Sequence, residues 1–451
     1  MTRILQSKDV GRLLKRKAAR LEEAEAVVRP ILDAVRTRGD RALLEYARKF
    51  DGFTGRSVRV RLTAKHTLDA NFREAVEIAT RNIRDYAERQ MPREWTAQVQ
   101  PGLKLGQIVR PLETVAAYIP AGRYPLPSTL LMTVIPAQVA GVKNICVACP
   151  RQVAEVFGTA RMLGLPNLYQ MGGAQAIAAF AYGTRTVPRA DRIVGPGNIY
   201  VAAAKKLLAG EVGIDFVAGP TEILIISADG DPRHLAADMR AQAEHDDDAF
   251  ALLLTPSKRL AQAVAALGLP KNCAIVHVRS IGEAVEISNR FAPEHLSIPD
   301  ASLLPGIRHA GSIFIGPHSP EAAGDYATGP NHVLPTNGAA RIRGGLSVTD
   351  YLKVISTQQL TSAALARLAP AITTLARAEG LEWHARSVEV RAEEASQATS
   401  ALPHGRASLP GTISLVVYAR ERGATVRERS ALADAEPHGA KRAKAGDGRR
   451  L

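Results

Sequence analysis

The chain has 451 residues and a mass of 48.3 kDa, with 46% hydrophobic and 23% charged residues; that is room for about two to four domains and excludes a wholly disordered, collagenous or disulfide-scaffold protein. The net charge of +14 does not mark a nucleic-acid protein: residues 401–451 hold ten Lys or Arg against five Asp or Glu, the remaining +9 is spread over 400 residues, and aromatics, which stack bases, are only 5%. Three cysteines and no apolar run near the ~20 residues of a membrane span point to a cytoplasmic protein in a reducing compartment, with no membrane partner.

Residues 1 to about 95 read as amphipathic helix, ending before Pro101-Gly102. Residues 109–119 read as a strand, followed by a Pro-rich loop and an apolar helix near 128–140 with Ser128 as its N-cap. Strands are expected at 144–148 and 168–171, the second leading through Gly172-Gly173 into a helix at 174–182. A strand at 192–194, the turn Gly195-Pro196-Gly197-Asn198 and a helix at 199–208 repeat the pattern. A second alternating series follows: strand 223–227, a helix opened by Asp231-Pro232 and reaching about His245, strands 250–255 and 274–278, helix 282–290 and strand 311–315. Strands and helices alternating at this spacing predict an α/β fold with parallel sheets. Residues 347 to about 395 read as helical with short extended pieces, and 398–451 as a disordered basic tail.

Several constellations carry chemistry. GGAQ at 172–175 and GPGN at 195–198 place glycines at helix N-termini. Each either cradles phosphate or makes a tight βα turn, and neither has the three spaced glycines of a dinucleotide fingerprint. Gln242 and His245 are three apart on one helix and share a face. They suit a metal, or else a solvated helix end beside Asp246, Asp247 and Asp248. Glu294-His295 is a candidate acid–base pair at a turn. Asp325 and His332 lie in the Gly-rich stretch GDYATGPNHVLPT, and His384 follows Glu379 by five residues. Cys146 and Cys149, three apart in a strand-like run, point to opposite faces and read as structural.

Taken in order, YIPAG (118–122), PLPST (125–129), GGAQAIAA (172–179), VGPGN (194–198), AGPTE (218–222), QAEHD (242–246), APEHL (292–296), GDYATGPNHVLPT (324–336) and EGLEWHARS (379–387) resemble the histidinol dehydrogenase family over residues 15–395. The resemblance implies an NAD-dependent, zinc-containing homodimer that oxidises L-histidinol to L-histidine in two hydride transfers through an aldehyde-level intermediate, the last step of histidine biosynthesis. It implies one zinc per subunit, held by Gln242, His245, Asp325 and His384, the last from the partner subunit, so that active sites are shared. It implies that Thr221, Gln242, His245, His295, Asp325, Glu379 and His384 line the substrate, and that Tyr118, Gln175 and Asn198 contact NAD. Glu294 and His295 are the implied catalytic pair. Ala121 and Thr221 stand where many relatives carry Gly and Ser. Relatives that oxidise other small alcohols, and a binding protein that has lost catalysis, are the competing readings.

The resulting expectation is two incomplete Rossmann-like domains with parallel sheets, plus small N- and C-terminal extension segments forming a swapped dimer. The first domain would combine 15–115 with 223–346 and carry the metal and catalytic residues. The second, 116–222, would bind NAD. Residues 1–14 would be an N-terminal extension and 347–397 a dimerisation segment.

Overall fold

The computed structural model describes residues 4–6, 20–120 and 125–400. It divides into one unit spanning Met1–Pro370 and another spanning Ala371–Leu451. In chain order the strands are β1 (Ile4–Gln6), β2 (Arg59–Arg61), β3 (Trp95–Gln100), β4 (Leu103–Pro111), β5 (Thr114–Tyr118), β6 (Asn144–Ala148), β7 (Asn167–Tyr169), β8 (Arg192–Val194), β9 (Gly213–Ile214), β10 (Glu222–Ile226), β11 (Phe250–Thr255), β12 (Cys273–His277), β13 (His295–Ile298), β14 (Ser312–Ile315) and β15 (Leu352–Leu360). The helices are α1 (Arg20–Arg38), α2 (Asp40–Asp51), α3 (Ala70–Arg89), α4 (Pro127–Ala140), α5 (Ala154–Met162), α6 (Gly173–Tyr182), α7 (Ile199–Leu208), α8 (Pro232–Ala243), α9 (Lys258–Ala266), α10 (Ile281–Phe291), α11 (Glu321–Tyr326), α12 (Ser362–Ala378) and α13 (Glu382–Ser400).

Two six-stranded sheets dominate the first unit. One has the order β2-β7-β6-β5-β8-β9 and is parallel except for the antiparallel edge strand β2. The other, β1-β12-β11-β10-β13-β14, is wholly parallel. The expected parallel α/β class is therefore what the chain adopts. Strand β10 reads Glu-Ile-Leu-Ile-Ile and is buried along its whole length, as a parallel strand covered on both faces must be. Its side chains alternate between two cores: Leu224 and Ile226 join Leu252, Leu254 and Leu296, while Ile223 and Ile225 join Leu253, Met239 and Leu260. The other sheet divides likewise. Cys146 and Cys149 fall into opposite cores, the arrangement their spacing predicts.

The structure corrects several expectations. The N-terminal region is not all helix: it contains β1, β2 and β3, the first two only three residues long, too short for period-two alternation to register. Ser128 is not a cap. Pro127 occupies the first turn of α4 and Ser128 is buried inside that helix, which is apolar on every side and covered on every side. The grouping of 15–115 with 223–346 does not describe the packing. Val28, Leu32 and Val35 of α1 and Leu43 of α2 share one core with α6 and α7, and Val76 and Ile83 of α3 share another with α4, both cores belonging to the β2–β9 sheet. Periodicity shows that such helices have an apolar face; it does not show which sheet that face covers. Ile4, Leu5 and Gln6 do join the β1–β14 sheet, through β1 beside β12.

The stretch from 347 to about 395, expected to be helical with short extended pieces, holds one long extended piece, the nine-residue β15, which pairs antiparallel with β4 and, with β3, builds a small third sheet. Just before it, Leu346, Val348 and Tyr351 are buried in the core of the β2–β9 sheet, where the Tyr351 hydroxyl donates to the Thr133 carbonyl at 2.8 Å. Helix α13 continues to Ser400; the rest of the expected tail, and Ala121, lie outside the described residues.

Candidate active site

In open α/β sheets, ligands settle beyond the carboxyl ends of strands where the strand order reverses. In the β2–β9 sheet that point is β5, flanked by β6 and β8. A cavity of about 500 Å³ lies there, lined by Tyr118 at the end of β5, Pro150 after β6, Gln175 in the first turn of α6 and Asn198 after β8, together with Asp51 and Phe50. The three residues expected to contact NAD thus line one cavity. Asn198 caps α7, its Oδ1 accepting from the amides of Tyr200 and Val201 at 3.1 Å each. The loop before it is held by buried Lys205, which pairs with Asp215 and donates to the Gly195 carbonyl at 2.8 Å; Asp215 in turn accepts from the Gly195 amide at 2.8 Å. Gly195 must be glycine. Its φ is +108°, and a Cβ there would overlap the Tyr118 carbonyl oxygen.

The GGAQ turn proves to be no open phosphate cradle. Asp51 accepts from the Gly172 amide at 2.9 Å and from Gln175 Nε2 at 3.1 Å, and the Tyr118 hydroxyl accepts from the Gly173 amide at 3.1 Å. The protein's own carboxylate fills the anion position of this helix N-terminus. Burial raises the Asp51 pKa and pushes the Tyr118 hydroxyl up to about 12, so the phenol stays protonated at neutral pH. Asp51 was invisible in the sequence because its partner glycine lies 121 positions away.

The second cluster lies at the opposite edge of the other sheet, the amino ends of its strands. Thr221 immediately precedes β10, Glu294 immediately precedes β13, and His295 is the first residue of β13 rather than part of a turn. Because β13 pairs with β10 in register, His295 stands opposite Ile223 and is 4% exposed. Glu294 is buried and accepts from Thr221 Oγ1 at 2.6 Å and from the Glu222 amide at 2.8 Å through the same Oε2. His295 Nδ1 lies 3.2 Å from the Glu222 carbonyl oxygen. A carbonyl only accepts, so Nδ1 carries the hydrogen and a neutral ring keeps its lone pair on Nε2. That Nε2 has no hydrogen-bond partner and lies 3.8 Å from Asp325 Oδ1. His295 and Asp325 line a cavity of about 320 Å³ with His332, Phe314, His318 and Asn331.

Gln242, at the end of α8, is fully buried, and its amide lies 2.8 Å from Thr221 Oγ1. His245 is exposed just beyond the helix, its Nδ1 3.0 Å from the Ala241 carbonyl, which leaves Nε2 available as a ligand. Asp325 sits on α11, which packs against α8. Gln242, His245 and Asp325 thus all lie in the first unit, on or just beyond two helices that pack against each other. Glu379 and His384 are in the second unit, both exposed, Glu379 just after α12 and His384 in the first turn of α13.

Electrostatics mark the cluster. Burial raises the Glu294 pKa, with Asp325 adding to it and His295 and Thr221 opposing. Burial disfavours charge on His295, but Glu321, Glu294 and Asp325 outweigh it and the net shift is upward. Burial lowers the His332 pKa. Glu321 was missed by the sequence reading; burial, reinforced by Asp325, Glu294 and Asp238, pushes it up to about 8. Its position four residues before Asp325, one helical turn away, was the available signal. Among the described residues no three His, Cys, Asp or Glu side chains gather as a metal cluster. The donor set nevertheless fits a divalent cation: a carboxamide, an imidazole with a free Nε2 and a carboxylate, beside several buried acids that a cation would relieve of their mutual repulsion.

The chain is thus an α/β protein with a strand-end crevice at one parallel sheet and a buried carboxylate–imidazole pair facing a cavity at the other. The family model for histidinol dehydrogenase matches residues 14–392. A histidinol dehydrogenase of Thermus thermophilus is 47% identical over 390 residues, covering 81% of this chain and 94% of its own; that of Syntrophotalea carbinolica is 42% identical over 415 residues, covering 85% and 96%. The crystal structure of histidinol dehydrogenase from Elizabethkingia anophelis superimposes with a TM-score of 0.82 at 33% identity, over 87% of this chain and 98% of that one. The chain belongs to the histidinol dehydrogenase family. Among the described residues no helix is long and apolar enough to cross a membrane.

Proposed function

We propose that the chain oxidises L-histidinol to L-histidine with two NAD and one water, through an aldehyde-level intermediate, as a zinc-containing homodimer. The observation that carries this reading is the buried Glu294–His295 pair whose one orphaned nitrogen, His295 Nε2, is a lone pair at the wall of a cavity. NAD supplies the hydride acceptor when bound, and zinc supplies a fixed point that orients the substrate's imidazole and amine. Gln242, His245 and Asp325 would hold the metal, completed by His384 of the partner subunit. Thr221, His295 and Glu379 would join them around the substrate. Tyr118, Gln175 and Asn198 would hold NAD, which suits their shared cavity. The three cysteines, all reduced and buried, suit the cytoplasm.

The chain's own residues then perform two proton transfers and one addition. His295 Nε2 takes the alcohol proton as hydride leaves the same carbon. The Glu222 carbonyl accepts from Nδ1–H throughout, so the imidazolium that forms is held in place. The aldehyde must add water before a second hydride can leave. Glu294, with Oε2 committed to Thr221 and the Glu222 amide, has Oε1 to polarise that water, and His295 takes the second proton.

Removal of the metal tests the reading. After exhaustive treatment with a strong chelator, NADH formation from L-histidinol is expected to vanish and to return on adding zinc. Undiminished activity in protein assayed as free of metal would contradict the zinc requirement. Tyr118→Phe tests the cofactor cavity. It leaves the part-buried Gly173 amide without its acceptor, a loss of at most about 1–3 kcal/mol. The KM for NAD is expected to rise about tenfold or more at nearly unchanged kcat, and an unchanged KM would remove Tyr118 from the cofactor set.

A further inference from the structure

We propose that Lys205 and Asp215 are positioning residues for the cofactor: together they preset the 195–198 loop in the shape that NAD meets. The inference rests on the proposed function, since it takes the cavity at Tyr118, Gln175 and Asn198 to be the NAD site.

Three separate elements meet at Gly195. Lys205 is on α7, the helix that Asn198 caps. Side chains on a helix lean toward its N-terminus, and the Lys205 Nζ reaches back to donate to the Gly195 carbonyl at 2.8 Å. Asp215 directly follows the edge strand β9, and its amide donates to the Ile193 carbonyl of β8 at 3.2 Å. Its Oδ1 pairs with Lys205 and accepts from the Phe216 amide at 2.6 Å, while its Oδ2 accepts from the Gly195 amide at 2.8 Å. Donors and acceptors balance. The ammonium group gives one hydrogen to Asp215 and another to Gly195, and each amide gives its single hydrogen to one oxygen. One buried ion pair thus holds both polar groups of Gly195. The Gly195 backbone also lies against the Tyr118 carbonyl, too close for any Cβ. Tyr118, Asn198 and Tyr200 line the cavity, whereas Lys205 and Asp215 stand behind the loop and do not.

The fold alone does not require such a pair, because replacing a buried ion pair by apolar side chains of similar volume is often neutral or stabilising. Apolar side chains cannot orient a peptide group. A loop that holds the binding shape only about a tenth of the time weakens apparent affinity about tenfold. The double variant Lys205→Met with Asp215→Leu separates the two roles. It is expected to melt near the wild-type temperature and to bind NADH about tenfold or more weakly by fluorescence titration. The KM for NAD should rise with it. The KM for L-histidinol should stay unchanged, since Thr221, Glu294 and His295 belong to the other sheet. A folded double variant that binds NADH within about twofold of wild type overturns the proposal. So does one in which both KM values rise together, the sign of a general loosening.

A second measurement needs no variant. In hydrogen exchange resolved to single amides, Gly195 of the cofactor-free wild type is expected to exchange slowly already, with little further slowing by NADH. A Gly195 amide that exchanges freely until NADH is added overturns the proposal. Wild-type protein in which that amide is protected but no NADH binds would instead overturn the proposed function.

Discussion

Glu294→Gln is expected to convert L-histidinol to the aldehyde-level product and largely to stop there. The substitution keeps the shape, and the Gln carbonyl oxygen can still accept from Thr221 Oγ1 and the Glu222 amide, the two donors that fix Glu294 at 2.6 and 2.8 Å. The fold and the placement of His295 are therefore retained. What is lost is the second carboxylate oxygen as an acceptor for water. General-base assistance contributes about 10²–10⁴-fold, and that loss should fall on the aldehyde-to-acid step. Stopped-flow traces begun from the alcohol and from the aldehyde separate the two oxidations. Equal impairment of both would remove Glu294 from the hydration step.

His295→Asn is expected to impair both oxidations, each by about 10²–10⁴-fold. Asparagine is shorter and has no basic nitrogen to replace Nε2, the orphaned atom facing the cavity. Its carboxamide can still occupy the strand position opposite Ile223, so β13 should remain paired with β10. Both proton abstractions pass through this one ring, which is why neither half-reaction is spared. Alcohol oxidation at wild-type rate in this variant would show that the proton leaves elsewhere.

The contrast between the two variants follows from geometry that was only partly legible in the sequence. Strand β8 and helix α7 were read with their observed limits, because Gly195-Pro196-Gly197 punctuates a clear switch from strand to helix. The Glu294-His295 dipeptide was found, but β13 was not. Four residues soon after a helix that ends at Phe291 and is capped by Ala292, with φ +53°, resemble a turn until the partner strand is known. Gln242, His245 and Asp325 carried a readable pattern of ligand types. Asp51 and Glu321 did not stand out, since each acts through partners far away in the chain. The assignment of α1 and α2 to the wrong sheet has the same origin. Their apolar stripe was evident, while the surface it covers is fixed only by packing against α6 and α7.

The opposed placement of the two sites also needed the structure. The cavity proposed for NAD obeys the rule for parallel sheets and sits at strand carboxyl ends, whereas Thr221, Glu294 and His295 gather at the amino ends of β10 and β13. Residues just before a strand are ordinarily read for stability. Here the burial of Glu294 and His295, their raised pKa values and the unpartnered Nε2 make them candidates for the chemistry.

The central claim is that one pair of residues supports two successive oxidations at a single carbon. Its most direct test is the stoichiometry of the metal-replete protein: NADH formed per L-histidinol consumed, with the product identified. Two NADH per histidinol with L-histidine as product is the expected result. One NADH per histidinol, with the aldehyde accumulating, would contradict it.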